Sequence, residues 1–274
     1  MNKLNEYPIL NYQKFAIPAI FECFNRESKN LKMPKPASDG KIPTLNQTGY
    51  MTPESDKLSD DFINVAAQWG KKEVASLDVG AAFGIISIPA LEKGAILIAS
   101  DIYKKHLLIL RKQTPIKLRN RLFLHVGAFP EQTNFPKDSI GAICLRRIMH
   151  FLKPQQLEIG LDKIYDWLVP GGSAFIATMS PYHYSLTGFD EIYEERWNKG
   201  NSWPGEIFTM RKYIPECAKD LQDYMHVMDT RPLIKALEKR GFIVKQAFLY
   251  GYQRLKSRAL DLKGHCAIEV QKPV

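Results

Sequence analysis

From about residue 73 the chain alternates short, continuous apolar runs with stretches whose apolar residues return at helical spacing. "VASLDV" precedes a helical pattern over 84–93, and "AILIAS" precedes "YKKHLLILRK". "LFLHV" runs into a short loop. "AICLR" leads to a helical pattern ending "IGLDKIYDWLVPGG", and then comes "SAFIAT". Strands without polar alternation are covered on both faces, as in a parallel sheet between helices. The right-handed crossover preference fixes the winding of each unit. The pattern therefore predicts a doubly wound α/β fold. A helix over "DTRPLIKALEKRG" and two strands, "FIVKQAFLYGY" and "GHCAIEV", close it.

The flanking segments read differently. "YQKFAIPAIFECF", residues 12–24, is amphipathic and helix-like, and 31–52 is a loop rich in Pro, Lys, Ser, Thr and Gly. "TPESDKLSDDFINVAAQW" predicts a helix with Thr52 as N-cap and Pro53 in the first position. Leu58, Phe62, Val65 and Trp69 recur along it at helical spacing. The strand–helix alternation breaks after Thr178, and the aromatic-rich stretch 180–228 reads as an insertion. The domain organisation expected is an N-terminal cap and linker over 1–52 and one domain over 53–274, with 180–228 as a substrate lid.

With 274 residues, 45% of them hydrophobic, the chain can bury one large core. No apolar run reaches the ~18 residues a membrane span needs. The N-terminus lacks the apolar centre of a signal peptide. Cys23, Cys144, Cys217 and Cys266 show neither paired nor metal-ligand spacing. These features predict a reduced, cytoplasmic protein without a metal site. The formal net charge is +9, and residues 104–121 carry seven bases and no acid. Such a run suits a nucleic-acid face, or a solvated helix and turn beside the sheet.

The chemistry concentrates in "SLDVGAAFGIISIPAL", residues 76–91, where a strand ends in an acid, turns on glycines and enters a helical pattern. A dinucleotide turn wants glycine at its first, third and sixth positions. Those positions hold Gly80, Ala82 and Ile85, and isoleucine at the last spoils close helix packing. The pattern acid-x-Gly-x-small-x-Gly fits instead, through Asp78, Gly80, Ala82 and Gly84.

Residues 73–178 resemble the class I S-adenosylmethionine-dependent methyltransferase superfamily. "LDVGAAFG" is similar to its first motif, "IASDIY" to its acid-ended second strand, and "GAICLRRIMHFL" to its fourth-strand motif. "LDKIYDWLVPGGSAFIAT" resembles its helix, Pro-Gly-Gly turn and fifth strand. The resemblance implies a mostly parallel seven-stranded sheet with an antiparallel last strand, a helical N-terminal cap, and an insertion after strand five. It implies S-adenosyl-L-methionine as cofactor. Gly80, Ala81, Ala82 and Gly84 would shape the turn, giving the cofactor's methionine carboxylate a helix N-terminus. Asp78 would support the turn or meet the methionine amino group. Asp101, with Ile102 beside it, would accept from the ribose hydroxyls. Gly127, Ala128 and Phe129 would take the adenine edge, and Leu145 and Arg146 the methionine end. Three positions depart from the family pattern. Ala82 replaces the middle glycine, no acid follows the third strand, and Gly141 stands where the fourth strand often begins with Asp.

Methyl transfer is an in-line displacement from a sulfonium, so positioning supplies much of the acceleration and a general base is optional. His150, just after the fourth strand, is the candidate base. Cys144 lacks the Pro-Cys context of a nucleophile and reads as core. Tyr50 is a candidate to close over the site. Tyr182, His183 and Tyr184 lie where a substrate pocket is expected. The aromatics of 189–213 either wall that pocket or form the insertion's own core. The reading is a methyltransferase acting on a small-molecule acceptor, with RNA or protein as alternative acceptors, or cofactor binding without transfer.

Overall fold

The computed structural model describes residues 12–38, 40–53, 55–214, 222–251 and 262–274. β1 (Ile17–Pro18) and α1 (Cys23–Ser28) precede a hairpin of β2 (Ile42–Pro43) and β3 (Tyr50–Met51), and α2 (Lys57–Gly70) follows. The doubly wound part comprises β4 (Ser76–Val79), α3 (Ser87–Glu92), β5 (Leu97–Asp101), α4 (Lys104–Gln113) and β6 (Leu122–Val126). It continues through β7 (Ile140–Arg146), α5 (Pro154–Trp167) and β8 (Leu168–Met179). The insertion holds α6 (Phe189–Asn198), β9 (Glu206–Ile207), α7 (Met210–Tyr213) and β10 (Met225–His226). α8 (Thr230–Glu238), β11 (Ile243–Tyr250) and β12 (His265–Gln271) complete the chain.

The main sheet has the order β1-β6-β5-β4-β7-β8-β12-β11. β6, β5, β4, β7 and β8 run parallel, and β12 lies antiparallel between β8 and β11. The seven expected strands are present, with the two-residue β1 added antiparallel at the edge. Proline cannot donate to a ladder, so Pro18 confines that segment to an edge and interrupts the helical pattern. Residues 12–24 are accordingly helical only in part.

Residues of β7 alternate between the two cores. Ile143 and Leu145 join α5 and α8 on one face, while Ala142 and Cys144 join α2, α3 and α4 on the other. That is why the strand reads as an unbroken apolar run. α2 starts later than its Thr-Pro signal suggested. Its N-cap is Asp56, whose backbone is extended and whose Oδ1 accepts the Ser59 N–H at 2.9 Å.

The basic run has structural employment. Arg111 is buried and donates to the carbonyls of Ala19 and Phe21 and to Asn25 Oδ1. Lys112 donates to the Leu31 carbonyl at 3.0 Å, Lys104 pairs with Glu27 at 2.5 Å, and Arg121 donates to the Gly94 carbonyl at 3.2 Å. Lys104, Arg111 and Lys112 fasten the N-terminal segment onto α4, the last two by supplying donors to loop carbonyls that have no ladder partner.

The insertion's aromatics form a core of their own. Phe189 and Tyr193 are buried with Leu186, Ile207, Met210 and Val227. Their alternative as a substrate wall is not what the packing uses. Trp203 is buried in the main core, its Nε1–H donating to Glu158 at 2.7 Å.

The Gly141 departure also has a packing cause. A Cβ at Gly141 would lie 2.3 Å from Trp69 Cγ, so the indole of α2 rests directly on the β7 backbone. Gly141→Ala should therefore destabilise the protein by about 2 kcal/mol through overpacking, read as a lowered Tm. An unchanged Tm would show that Trp69 is not held against that strand.

Candidate active site

In a sheet of this order the sequence of connections reverses between β4 and β7, which opens a crevice at the carboxyl ends of β4, β5 and β7. A cavity of about 800 Å3 lies there. Asp78 at the end of β4, Asp101 at the end of β5 and Arg146 at the end of β7 all reach its wall.

The glycine turn is shaped by packing and backbone sign. Gly80 has φ +77°, and a Cβ on it would come within 2.3 Å of Ile148 Cγ2. Gly84 has φ +90°, and a Cβ there would press on Leu110 Cγ at 2.7 Å. Gly84 therefore packs the turn on α4 rather than admitting a ligand, and it is not part of the cavity wall. Ala82, at the family's middle-glycine position, sits in the left-handed region at φ 44°. Its N–H donates to Asp101 Oδ2 at 3.0 Å, which holds it there. The Gly80 and Ala81 N–H groups both donate to the Ser100 carbonyl, at 2.8 and 3.0 Å. The N–H groups of Gly80, Ala81 and Ala82 are thus engaged within the protein.

Asp101 collects three donors. Besides Ala82, Oδ1 receives the Tyr103 N–H at 2.8 Å and His106 Nδ1 at 3.0 Å. The Leu45 N–H donates to His106 Nε2 at 3.0 Å, so the imidazole proton is assigned to Nδ1. His106 was not a sequence candidate, although it stands five residues after Asp101 on the face of α4 that meets the sheet. Asp78 is buried and accepts from Ser87 Oγ at 2.6 Å. Burial pushes its carboxyl up to about 6, against the opposing pull of the Ser87 hydrogen bond and Arg146.

Ile102 lines the cavity with 62% of its surface exposed, an apolar face suited to a flat ring. Gly127, Ala128 and Phe129 line it too. However, Gly127 N–H donates to the Asp101 carbonyl at 3.0 Å and Ala128 N–H to Gln132 Oε1 at 3.0 Å. An adenine edge would have to displace the Gln132 side chain to reach Ala128. Leu145 is fully buried in the core and does not line the cavity. Its side chain points to the helix-packed face because strand residues alternate. Arg146 is held by Asp56 at 3.2 Å.

The other half of the cavity brings Tyr50, His150, His183 and Tyr184 together. It adds residues not singled out from the sequence, among them Arg147, Met179, Met225 and His265. His265 reaches the site because β12 runs antiparallel beside β8, and sequence distance conceals that. Tyr182 does not line the cavity. Its hydroxyl donates to Glu194 at 2.6 Å and receives Arg231 at 3.1 Å, and burial raises its pKa further. Burial, reinforced by the nearby Arg147 charge, pulls His150 and His183 down to about 3. Both are neutral imidazoles at ordinary pH.

Residues 77–176 match the family model of a methyltransferase domain. No curated protein matches the sequence. Among solved structures, a SAM-dependent methyltransferase from Methanosarcina mazei superposes with a TM-score of 0.55 at 15% identity, over 73% of this chain and 92% of that one. The Burkholderia thailandensis 1,6-didemethyltoxoflavin-N1-methyltransferase, solved with 1,6-didemethyltoxoflavin and S-adenosylhomocysteine, gives 0.53 at 14% identity over 80% of each chain. Haemonchus contortus phosphoethanolamine N-methyltransferase 2, solved with phosphomonomethylethanolamine and S-adenosylhomocysteine, gives 0.52 at 15% identity. That match covers 78% of this chain and 53% of the nematode enzyme.

Residues 77–176 thus carry a methyltransferase domain, on the strand order and fold of the class I S-adenosylmethionine-dependent methyltransferases. It is a transferase whose methyl donor is S-adenosyl-L-methionine. The cavity residues fit that donor chemically. Asp101 offers carboxylate oxygens at the strand end, Ile102 and Phe129 offer apolar surface, and Asp78 with Arg146 offers opposite charges for an amino acid end. Among the described residues no helix is long and apolar enough to cross a membrane.

Two outcomes follow. Asp101→Ala should weaken S-adenosylhomocysteine binding by about 2 kcal/mol, because charged acceptors are lost. It should also lower the Tm of the unliganded protein, since the Ala82, Tyr103 and His106 donors lose their acceptor. Affinity within twofold of wild type in calorimetry would remove Asp101 from the site. Ala82→Gly should leave the Tm equal or raise it by up to about 1 kcal/mol in stability, because relief of the left-handed strain offsets glycine's entropy. A loss of 1 kcal/mol or more would show that Ala82 is unstrained.

Proposed function

We infer that this methyltransferase acts on a small-molecule acceptor taken into the cavity. The observation that carries the reading is the cavity's extent. At about 800 Å3 it lies high in the usual range of roughly 300–1,000 Å3 for ligand pockets. Its wall runs from Asp101 and Ile102, through Arg147 and His150, to Met179 and Met225 of the sheet edge and insertion. Such a space holds a donor and a small acceptor end to end. Two fold relatives solved with small acceptors, the didemethyltoxoflavin and phosphomonomethylethanolamine complexes, make the same use of this fold plausible. The nucleic-acid alternative drew on the basic run, and three of those bases, Lys104, Arg111 and Lys112, are engaged with the N-terminal segment.

S-adenosylmethionine, when bound, supplies an electrophilic methyl group on a cationic sulfonium. The chain's contribution is then to bind, orient and exclude water. The hairpin of β2 and β3 and residues Ile214 and Met225 cover the crevice from opposite sides, which favours a near-attack arrangement over bulk hydrolysis. His150 touches the cavity, its Nδ1 lying 3.4 Å from Thr178 Oγ1. A base works best with a pKa near the operating pH, and His150 at about 3 is far below it. In this state it is a neutral hydrogen-bonding group of the cavity wall and a weak base.

The test is a methyl-label experiment. The purified protein is incubated with S-[methyl-3H]adenosylmethionine and a cell extract separated into small metabolites, RNA and protein. Label should enter the small-metabolite fraction, and Asp101→Ala should abolish it. Label confined to RNA or protein would sink this reading and favour a macromolecular acceptor.

A further inference from the structure

The roof of the cavity is tied to its floor through one imidazole. His106 is buried, its ring packed edge-on between Phe83 and Tyr103 at centroid distances of 5.0 and 5.1 Å. Its Nδ1–H donates to Asp101 Oδ1 at 3.0 Å on the floor. Its Nε2 accepts the Leu45 N–H at 3.0 Å from the loop of the β2–β3 hairpin. Only the neutral Nδ1–H tautomer makes both bonds, because a proton on Nε2 would face the Leu45 donor. Ile42, Leu45 and Met51 of the hairpin pack with Phe83 and Ile109. That apolar seat keeps water from both bonds and strengthens them.

The imidazole also decides which part of Asp101 a ligand can use. A carboxylate has about four lone-pair sites. The Tyr103 N–H and His106 occupy those of Oδ1, and the Ala82 N–H takes one of Oδ2. One site on Oδ2 is left, and Asp101 lines the cavity. A carboxylate gripped by donors on both oxygens cannot turn, so that site has a fixed direction. The hairpin is equally self-contained. The Thr44 N–H and Oγ1 both donate to the Gly49 carbonyl, at 2.9 and 2.8 Å, which closes the loop into a tab. Thr44, Tyr50 and Met51 of this hairpin line the cavity opposite the strand ends.

We propose that His106 is a positioning residue for the methyl donor: it aims the remaining Oδ2 site of Asp101 at a ribose hydroxyl and couples occupancy of that site to the hairpin. This rests on Asp101 as the ribose acceptor. A hydroxyl bound to Oδ2 fixes the carboxylate, the carboxylate fixes the imidazole, and the imidazole fixes the Leu45 N–H. Coupling of this kind is reciprocal. A hairpin seated on His106 favours the donor, and the donor seats the hairpin. The acceptor then enters under a roof that is set only when the donor is in place.

The test reads hydrogen exchange over residues 44–51 and calorimetric affinity for S-adenosylhomocysteine, both on the full chain. In the wild type, saturating ligand should slow exchange of the Leu45 amide about threefold or more. His106→Phe keeps a ring between Phe83 and Tyr103 and removes both hydrogen bonds. It should weaken the ligand about fivefold or more, because Asp101 loses a donor that holds it. At saturation the ligand should then slow Leu45 exchange less than about twofold. His106→Asn sets an amide donor near the Nδ1 position and offers nothing to Leu45. It should bind the ligand more tightly than His106→Phe, yet show the same loss of hairpin protection. A merely structural imidazole would lower the Tm in both variants without separating these two readouts. Wild-type exchange that ignores the ligand overturns the proposal. So does full protection in a variant, which would mean that the ligand touches the hairpin directly, or wild-type affinity in His106→Phe. Either variant decides the matter if the other does not fold, and wild-type exchange decides it if neither does. Failure of Asp101→Ala to weaken the ligand strikes the ribose reading instead. Failure of the wild type to bind S-adenosylhomocysteine strikes the methyltransferase reading, and is scored first.

Discussion

The carboxylate of Asp101 is where separate parts of the chain are tied together. It receives N–H groups from the glycine turn at Ala82 and from the start of the next helix at Tyr103, and the imidazole of His106. Through His106 it reaches the Leu45 N–H, and so the loop joining β2 to β3. A charged acceptor makes stronger hydrogen bonds than a neutral one, and burial strengthens them further. One side chain therefore holds the left-handed Ala82, orients the crevice floor, and fastens part of the roof. The residue that the family pattern assigns to a ligand is also a structural hub.

The N-terminal segment illustrates the same economy. It is short of regular structure, and carbonyls along it need donors. Arg111 and Lys112 supply them from α4, reaching Ala19, Phe21 and Leu31. A run of bases that reads as a potential nucleic-acid face is in large part an internal clamp. The insertion after β8 follows a related logic. Its buried aromatics, Phe189 and Tyr193, stabilise the insertion itself, while its contribution to the cavity comes through His183, Tyr184, Ser185, Ile214, Gln222 and Met225. The Tyr182 hydroxyl belongs to the network of Glu194, Asp229 and Arg231 that joins the insertion to α8.

Much of the fold was legible along the chain because its causes are local. Unbroken apolar strands, the acid-glycine turn, and the closing helix and strand pair each follow from periodicity and turn chemistry. Asp78, Gly80, Asp101 and Ile102 were legible for the same reason, since a strand end and its turn determine one another within a few residues. The departures were visible but not their reasons. Gly141 has its cause in Trp69, some seventy residues earlier, and Gly84 in Leu110.

What the sequence alone determined is the doubly wound sheet, with the acid-ended strands and the glycine turn that border the crevice. Tertiary structure alone decided which side chains meet Arg147. Arg147 follows a motif, but Thr52, His183 and His265 come from three distant segments that meet only when β12 enters antiparallel beside β8. It also decided that Leu145 faces the core, that the Gly127 and Ala128 N–H groups are already engaged, and that Tyr182 serves the insertion. The physical reason is common to all of these. Periodicity records which face of an element is buried, whereas hydrogen-bond partners and facing charges depend on which elements become neighbours.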